Sequence, residues 1–185
     1  MSHNFESPIA PSELSSDEGI SRILSQTQEV IRDPQLGMIG TLTELSATES
    51  YKVETSTATS RQRLSDIAWN PATPIAINAG WNWLGYPVDQ TMSIDEAFAT
   101  TEAETLDIVV GQNGFAQFDG DKWVGTLETM SPGMGYMYQS QSAKNVVYNT
   151  SIVSNAASTA GRMYRKRCRH MMSRYSVPTP STSIS

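Results

Sequence analysis

Three tryptophans in the second half of the chain are the side chains best suited to hold a ligand. Trp81, Trp83 and Trp123 carry large flat rings, which can stack on sugar rings or fill a core. Asn82 lies between the first two and offers an amide that can donate and accept hydrogen bonds. The sequence therefore suggests a carbohydrate site at Trp81 and Asn82, with core packing as the alternative reading of the aromatics.

Residues that could bind a metal or catalyse a reaction are sparse. His3 and His170 are the only histidines, and Cys168 stands among cationic residues that would repel a metal ion. Residues 119–121 (Asp-Gly-Asp) fit a tight turn better than a calcium site. The sequence has no nucleophile elbow, no phosphate-binding glycine loop and no His-Glu-x-x-His motif. We therefore expect no catalytic residue, no metal site, no cofactor and no enzymatic activity.

The elements that would position the tryptophans occur twice in the chain. Residues 2–58 and 80–143 can be aligned with each other if the second copy has one insertion. The matched segments are Ser2–Phe5 with Gly80–Trp83, Ser15–Glu18 with Ser93–Glu96, Ile39–Leu42 with Val124–Leu127, and Tyr51–Val53 with Tyr136–Tyr138. Repeated units of this kind are modules, and modules usually bind or build rather than catalyse.

The internal alignment also predicts which tryptophans point inward. Trp83 is matched with Phe5 and Trp123 with Met38, so both positions stay apolar in the two copies, as core positions must. Trp81 is matched with a histidine, which leaves core packing and ligand binding equally open for this residue. We therefore expect Trp83 and Trp123 in the core.

The second copy predicts a short helix followed by antiparallel strands. Ser93–Glu96 is a capping box, which should begin a helix of about two turns. Tyr136 and Tyr138 should point inward, with the residues that alternate with them facing solvent. Strands are predicted at residues 79–86, 106–110, 115–118, 123–129 and 135–139. The fold class is thus predicted to be α+β: two small tandem units, each an antiparallel sheet with one short helix.

Charge divides the chain into an acidic part and a basic tail. All 19 acidic residues precede residue 129, so residues 1–143 carry a net charge of −13 and residues 144–185 carry +7. The predicted divisions are repeat unit 1 at 1–58, a linker at 59–77, repeat unit 2 at 78–148 and a disordered basic tail at 149–185. The acidic units should repel nucleic acid, whereas residues 162–174 could contact an anionic surface. No apolar stretch is long enough to span a membrane.

Several segments of the second copy resemble a module of large secreted and cell-surface proteins of Bacteroidetes-type bacteria. That module reads approximately Gly-Trp-Asn-Trp-Ile at its start and Pro-Gly-x-Gly-Tyr at its end. The matching segments here are Gly80–Tyr86, Ser93–Ala97, Asp107–Gln112, Phe115–Phe118, Trp123–Leu127 and Pro132–Met137. Residues 110–111 depart from the module, since a lysine is usual there. The resemblance covers about residues 75–143 and implies tandem, non-catalytic modules within a longer exported protein.

Two functional hypotheses follow, with an enzyme fragment as a third. The first is a structural or adhesive repeat module of a secreted or cell-surface protein, whose partners are other surface proteins or glycans. The second is a carbohydrate-binding module with Trp81 and Asn82 at the ligand. The exposure of Trp81 separates them, because a buried indole favours the scaffold and an exposed one beside polar groups in a groove favours glycan binding.

Overall fold

A computed structural model of the chain describes residues 8–14, 19–56 and 73–149, which belong to one compact unit ending at Asn149. The aligned segments Ser2–Phe5 and Ser15–Glu18, most of the predicted linker and the tail from residue 150 lie outside the described residues.

Short strands dominate the part of the chain that the structure describes. In chain order they are β1 Ile20–Leu24, β2 Glu29–Asp33, β3 Gly37–Gly40, β4 Lys52–Thr55, β5 Ile75–Ile77, β6 Gly80–Gly85, β7 Met92–Ser93, β8 Ile108–Val110, β9 Phe115–Phe118, β10 Trp123–Gly125, β11 Thr129–Met130, β12 Gly135–Ser140 and β13 Lys144–Val146. The described helical residues are a 3₁₀ turn at Pro11–Leu14 and one α-helix, α1, at Ile94–Ala97.

Two antiparallel sheets share one strand order. The first sheet runs β3-β2-β1-β4 and the second runs β10-β9-β8-β12-β6. The first four strands of the second sheet therefore repeat the whole described order of the first, with β6 added at the edge of β12. Two further pairs, β11 with β7 and β13 with β5, complete the strand pairing. The duplication inferred from the sequence is thus present as a duplicated topology.

One glycine in each copy marks the same backbone kink. A Cβ on Gly40 would lie 2.2 Å from the carbonyl oxygen of Glu29, and a Cβ on Gly125 would lie 2.1 Å from that of Phe115. In each copy that carbonyl accepts the amide hydrogens of the two residues that follow the glycine. Only a residue without a side chain allows this approach, so the glycine is required at both positions.

A tyrosine in each copy closes the turn before the last strand. The phenol oxygens of Tyr51 and Tyr136 accept the amide hydrogens of Ser46 and Ser131, at 2.7 and 2.8 Å. Both rings are buried, and so is Tyr138. The inward positions predicted for Tyr136 and Tyr138 are therefore confirmed.

The predicted α+β class, with one short helix in each unit, is wrong, because the protein is mostly β-sheet. The capping box does form: the Ser93 hydroxyl accepts the amide of Glu96, whose carboxylate accepts the Ser93 amide. The helix nevertheless ends after one turn, at Phe98. The hydroxyls of Thr100 and Thr101 then bond to the carbonyl of Val147, so tertiary contacts replace a second helical turn.

The counterpart of α1 in the first copy lies earlier than the alignment predicted. The Glu13 carboxylate accepts the Ala10 amide at 3.2 Å, as Glu96 does from Ser93. The residue before Ala10 and the residue before Ser93 also have equivalent strand partners. Ile9 forms a bridge with Leu45, and Met92 pairs with Met130. The 3₁₀ turn at Pro11–Leu14 therefore occupies the place that the alignment gave to residues 15–18.

Each sheet covers its own core. The inner face of the first sheet packs on an aliphatic cluster with one tyrosine, made of Ile20, Ile23, Val30, Leu42, Leu45 and Tyr51. The core under the second sheet is aromatic and includes rings from the sheet's own inner face. Its rings meet edge-on or tilted, and they belong to Tyr86, Phe98, Trp123, Tyr136, Tyr138 and Tyr148. Trp123 is buried, as expected. Of the described helices, neither has the length and apolar character that crossing a membrane requires.

Candidate functional site: the outer face of the second sheet

Alternation along β12 determines which side chains face outward from the second sheet. Tyr136 and Tyr138 point into the core, so Met137 and Gln139 point away from it. The strand register extends this assignment across the sheet as two rows of paired residues. We call these nine residues the neutral face: Phe115, Val110, Met137 and Trp83 in one row, and Val124, Gln117, Ile108, Gln139 and Trp81 in the other.

The neutral face is an apolar surface with two amides. None of its nine side chains is ionisable, and Gln117 and Gln139 are the polar ones. Trp81 is 46% exposed, Phe115 52% and Val124 50%, and Met137 is exposed as well. Scattered apolar side chains are normal on a protein surface, but a contiguous apolar patch usually marks a contact site.

The outer face of the first sheet has the same geometry and different chemistry. We call it the charged face. Its residues lie in the same two rows, given in the same order: Glu29, Leu24 and Lys52 in one row, and Ile39, Ile31, Arg22 and Glu54 in the other. Arg22 forms ion pairs with Glu29 and, at 3.9 Å, with Glu54, while Lys52 lies 3.7 Å from Glu54. Such exposed pairs contribute little stability, but they keep the surface solvated.

Every charge of the charged face is replaced by an uncharged side chain in the second copy. Matching strand order and register set the correspondence between the two sheets. Arg22, Glu29, Lys52 and Glu54 correspond to Ile108, Phe115, Met137 and Gln139. The two copies therefore share a fold and differ in the surface that the fold presents.

Trp83 does not lie in the core, so its predicted inward position is wrong. It pairs with Met137 on the neutral face and is half-buried. The reason is the register, in which Asn82 pairs with the buried Tyr138 and so turns both flanking indoles outward. The segment matched with it, which contains Phe5, lies outside the described residues.

Trp81 has the exposure that a ligand contact needs. Nearly half of its side chain is accessible, and Gln139 lies directly across from it on β12. Trp81 lies on the outer face of the sheet and does not line the groove that Trp83 lines beside β6. Of the two predicted ligand residues, Trp81 is thus available to a partner molecule.

Asn82, the other predicted ligand residue, has its amide occupied by the backbone. Its Oδ1 accepts the Asn78 amide at 2.9 Å, and its Nδ2 donates to the carbonyls of Asn78 and Gly80 at 2.8 and 2.9 Å. These bonds hold the turn that leads into β6. The side chain faces away from the neutral face, towards a groove of about 300 Å³ that Trp83 also lines. Asn82 therefore positions Trp81 and Trp83.

A glutamine of the first copy fixes the outer edge of β6. Gln26, in the turn between β1 and β2, donates from Nε2 to the Trp81 carbonyl at 2.8 Å. Its Oε1 accepts the Trp83 amide at 2.9 Å. The side-chain amide thus satisfies the strand edge as a neighbouring strand would, which protects it from further strand pairing. The backbone at Trp81 and Trp83 is therefore held by Gln26 on one side of β6 and by the pairing with β12 on the other.

Asp107 and Lys144 form a buried ion pair that has a structural role. The Asp107 carboxylate, fully buried, accepts hydrogen bonds from Tyr138, Lys144 and the amides of Glu104 and Gln141 at 2.7 to 2.9 Å. Burial alone would raise the pKa of Asp107, but these four donors outweigh it and lower the pKa. Lys144 also pairs with the Glu104 carboxylate at 2.8 Å. The cluster fastens the loop before β8 to β13.

No candidate metal site occurs in the described part of the chain, where His, Cys, Asp and Glu side chains do not gather in threes. Cys168 and His170 lie outside it, as does the basic segment 162–174.

No family model, curated protein or solved structure matches the chain. The resemblance to modules of secreted bacterial proteins therefore stays a hypothesis based on the motifs in residues 75–143.

Sequence reasoning identified Trp81 but missed most of the neutral face. Positions that stay apolar in both copies of the internal alignment indicate the core and say nothing about a contact surface. The informative signal is the opposite one, an outward position that is charged in one copy and uncharged in the other. The aligned pairs Lys52 with Met137 and Glu54 with Gln139 carry this signal in the sequence itself.

Proposed function

We propose that this chain is a non-catalytic adhesive repeat module of a secreted or cell-surface protein and is part of a longer chain. In this proposal the second repeat contacts the partner through the neutral face. The first repeat acts as a structural unit, whose charged face remains in solvent.

One observation carries the proposal: two copies of one fold present outer faces that differ in charge, with four charged side chains on the first and none on the second. Stability does not require this difference, because the first sheet is built with Arg22, Glu29, Lys52 and Glu54 at the same places. Exposed apolar side chains on a monomer promote unwanted association, which a surface without a partner usually avoids by carrying charge. A contact surface explains why the second copy lacks those charges.

The chemistry of the neutral face supports binding without catalysis. Its tryptophan, phenylalanine, aliphatic, methionine and glutamine side chains offer no nucleophile and no group that could transfer a proton near neutral pH. The same side chains provide contact area and a few hydrogen bonds, which is what adhesion needs.

Adhesion of beads coated with the full chain tests this function. The surfaces would be bacterial cells, animal cells, matrix proteins and insoluble polysaccharides, with detachment measured under flow. The variant F115E/M137K gives the neutral face the residues that the charged face has at the equivalent places, so the fold should tolerate it. The control is Ile31→Gln, which places a neutral polar side chain on the charged face.

We expect the wild-type chain and the Ile31→Gln control to adhere to at least one surface, and the double variant to detach. Thermal unfolding of all three proteins shows whether the fold is kept. Adhesion that survives the double substitution would overturn the proposal, as would a wild-type chain that adheres to none of the surfaces.

A further inference from the structure

We infer that the partner of the neutral face is an extended, uncharged polysaccharide that lies across the strands. This inference rests on the proposed function and adds the chemical class of the ligand. Three properties of the face lead to it: its shape, the side chains on it and the absence of charge.

The shape of the neutral face is a narrow strip. Its longer row has five residues on neighbouring strands, which at about 4.8 Å per strand spans roughly 19 Å. The two rows are two residues apart along each strand, or about 7 Å. A strip of this width offers a few hundred Å², less than the roughly 800 Å² that each partner buries in a stable protein complex. A linear chain of sugar rings fits such a strip better than the surface of a second globular protein does.

The side chains of the strip match the two sides of a sugar ring. The C–H face of a pyranose is apolar and can stack on the exposed rings of Trp81 and Phe115. The ring's hydroxyls project sideways and need donors and acceptors, which the amides of Gln139 and Gln117 provide. Gln139 lies directly opposite Trp81, so one ring can meet an indole and an amide together.

Charge decides which polysaccharides are suitable. The neutral face has no cation to pair with a uronic acid or a sulfate, and residues 1–143 carry a net charge of −13. A polyanion would lose hydration at the face without gaining a partner, and it would be repelled at longer range. The ligand is therefore an uncharged glycan.

Affinity electrophoresis of the full chain tests the inference. The gels would contain uncharged polysaccharides (a xyloglucan, a glucomannan, a mixed-linkage β-glucan) or polyanions (alginate, polygalacturonate), with pull-down on cellulose and chitin for insoluble glycans. Trp81→Ala removes the indole, and Gln139→Glu introduces the carboxylate that the first copy has there. Leu36→Ala is the control, because Leu36 is highly exposed on the first sheet's β2–β3 turn.

We expect retardation by at least one uncharged polysaccharide. Any retardation by the polyanions would come from the basic segment 162–174 and should be equal in the wild-type protein and Trp81→Ala. Trp81→Ala should weaken the affinity about tenfold or more, since a central aromatic contact commonly contributes at least that much. Gln139→Glu should also weaken it, while Leu36→Ala should leave it unchanged. Equal thermal midpoints would show that the substitutions act on binding.

Three results would overturn the inference: retardation by polyanions that Trp81→Ala abolishes, binding to an uncharged glycan that Trp81→Ala leaves intact, and no binding to any uncharged glycan. If the chain still adheres to a protein surface through the neutral face, the ligand class is wrong and the adhesive function stands. If it adheres to nothing, both are wrong. Concentration-dependent self-association that F115E/M137K abolishes would identify a second copy of the chain as the occupant.

Discussion

The Asp107 carboxylate is buried without being a reactive group, because four hydrogen-bond donors surround it. A buried carboxylate with few donors would be neutral near pH 7 and could transfer a proton. Here the donors lower its pKa, and Lys144, with a raised pKa and 8% of its side chain exposed, balances the charge. At the residue scale, this buried ion pair thus contributes to stability.

Removing this carboxylate should destabilise the protein and change its response to acid. Asp107→Asn leaves Lys144 with a weaker partner, so we expect a loss of about 3 kcal/mol or more in the free energy of unfolding at pH 7. Because the folded-state pKa of Asp107 lies below its unfolded value, its contribution is complete above the unfolded pKa. It is lost as pH falls through the folded pKa.

Urea unfolding at a series of pH values checks both effects. The wild-type stability should fall between about pH 5 and pH 3, and Asp107→Asn should fall less steeply over the same range. The exposed Lys52→Met serves as control and should change stability by no more than about 0.5 kcal/mol. Equal acid slopes in the wild-type protein and Asp107→Asn would show that the cluster does not carry the pH dependence.

At the element scale, the glycine kinks of β3 and β10 show what the duplication preserved. In both copies the same carbonyl accepts two successive amides, and the glycine lets the strands approach closely enough for this. The kink ends the strand pairing and turns the chain towards its next segment. Two copies that differ at most surface positions have kept this geometry.

Gly125→Ala should therefore be destabilising, by about 1–3 kcal/mol, because the new methyl group would meet the Phe115 carbonyl. Gly40→Ala should cost a similar amount, since Glu29 presents the same obstacle. Gly133 is the control: its φ is +78° and its surroundings are open, so asparagine, which tolerates positive φ, should be nearly neutral there. Chemical denaturation of the three variants gives the comparison, and unchanged stability in both alanine variants would refute the kink's role.

The five strands of the second sheet were predictable because their signals are local, although β10 ends at Gly125 and not at residue 129 as predicted. The short strands β5, β7, β11 and β13 were not predicted. The turn at Ser131–Met134 has a glycine with positive φ and a hydrogen bond across its ends, as the Pro-Gly pair indicated. Alternation around Tyr136 and Tyr138 identified the inner face of β12. The capping box was also correct, since it depends on residues three apart.

Helix length and the face of Trp83 were not predictable in the same way. The helix ends where Thr100 and Thr101 bond to Val147, which is distant in sequence. In the first copy, a match at Ser15–Glu18 concealed the actual counterpart at Ala10–Glu13, which keeps only the glutamate. Trp83 depends on the register between β6 and β12, and its alignment partner had suggested the wrong side.

At the scale of the whole molecule, duplication explains how one acidic chain can have one sheet with ion pairs on its outer face and another whose outer face carries no charge. The charged face shows that the fold is stable with ion pairs on its outer surface. The neutral face then reflects a requirement beyond folding, which we assign to contact with a partner. The side chains of Gln26 and Asn82 support this assignment, because they hold the backbone of the strand that carries both outward tryptophans.

Hydroxyl-radical footprinting of the full chain, free and attached to a surface to which it adheres, tests this account most directly. It measures how much partner binding shields each side chain. We predict lower oxidation of Trp81, Phe115 and Met137 in the bound state, with Ile31 and Leu36 of the first copy unchanged. Protection of the charged face in place of the neutral face would contradict the account.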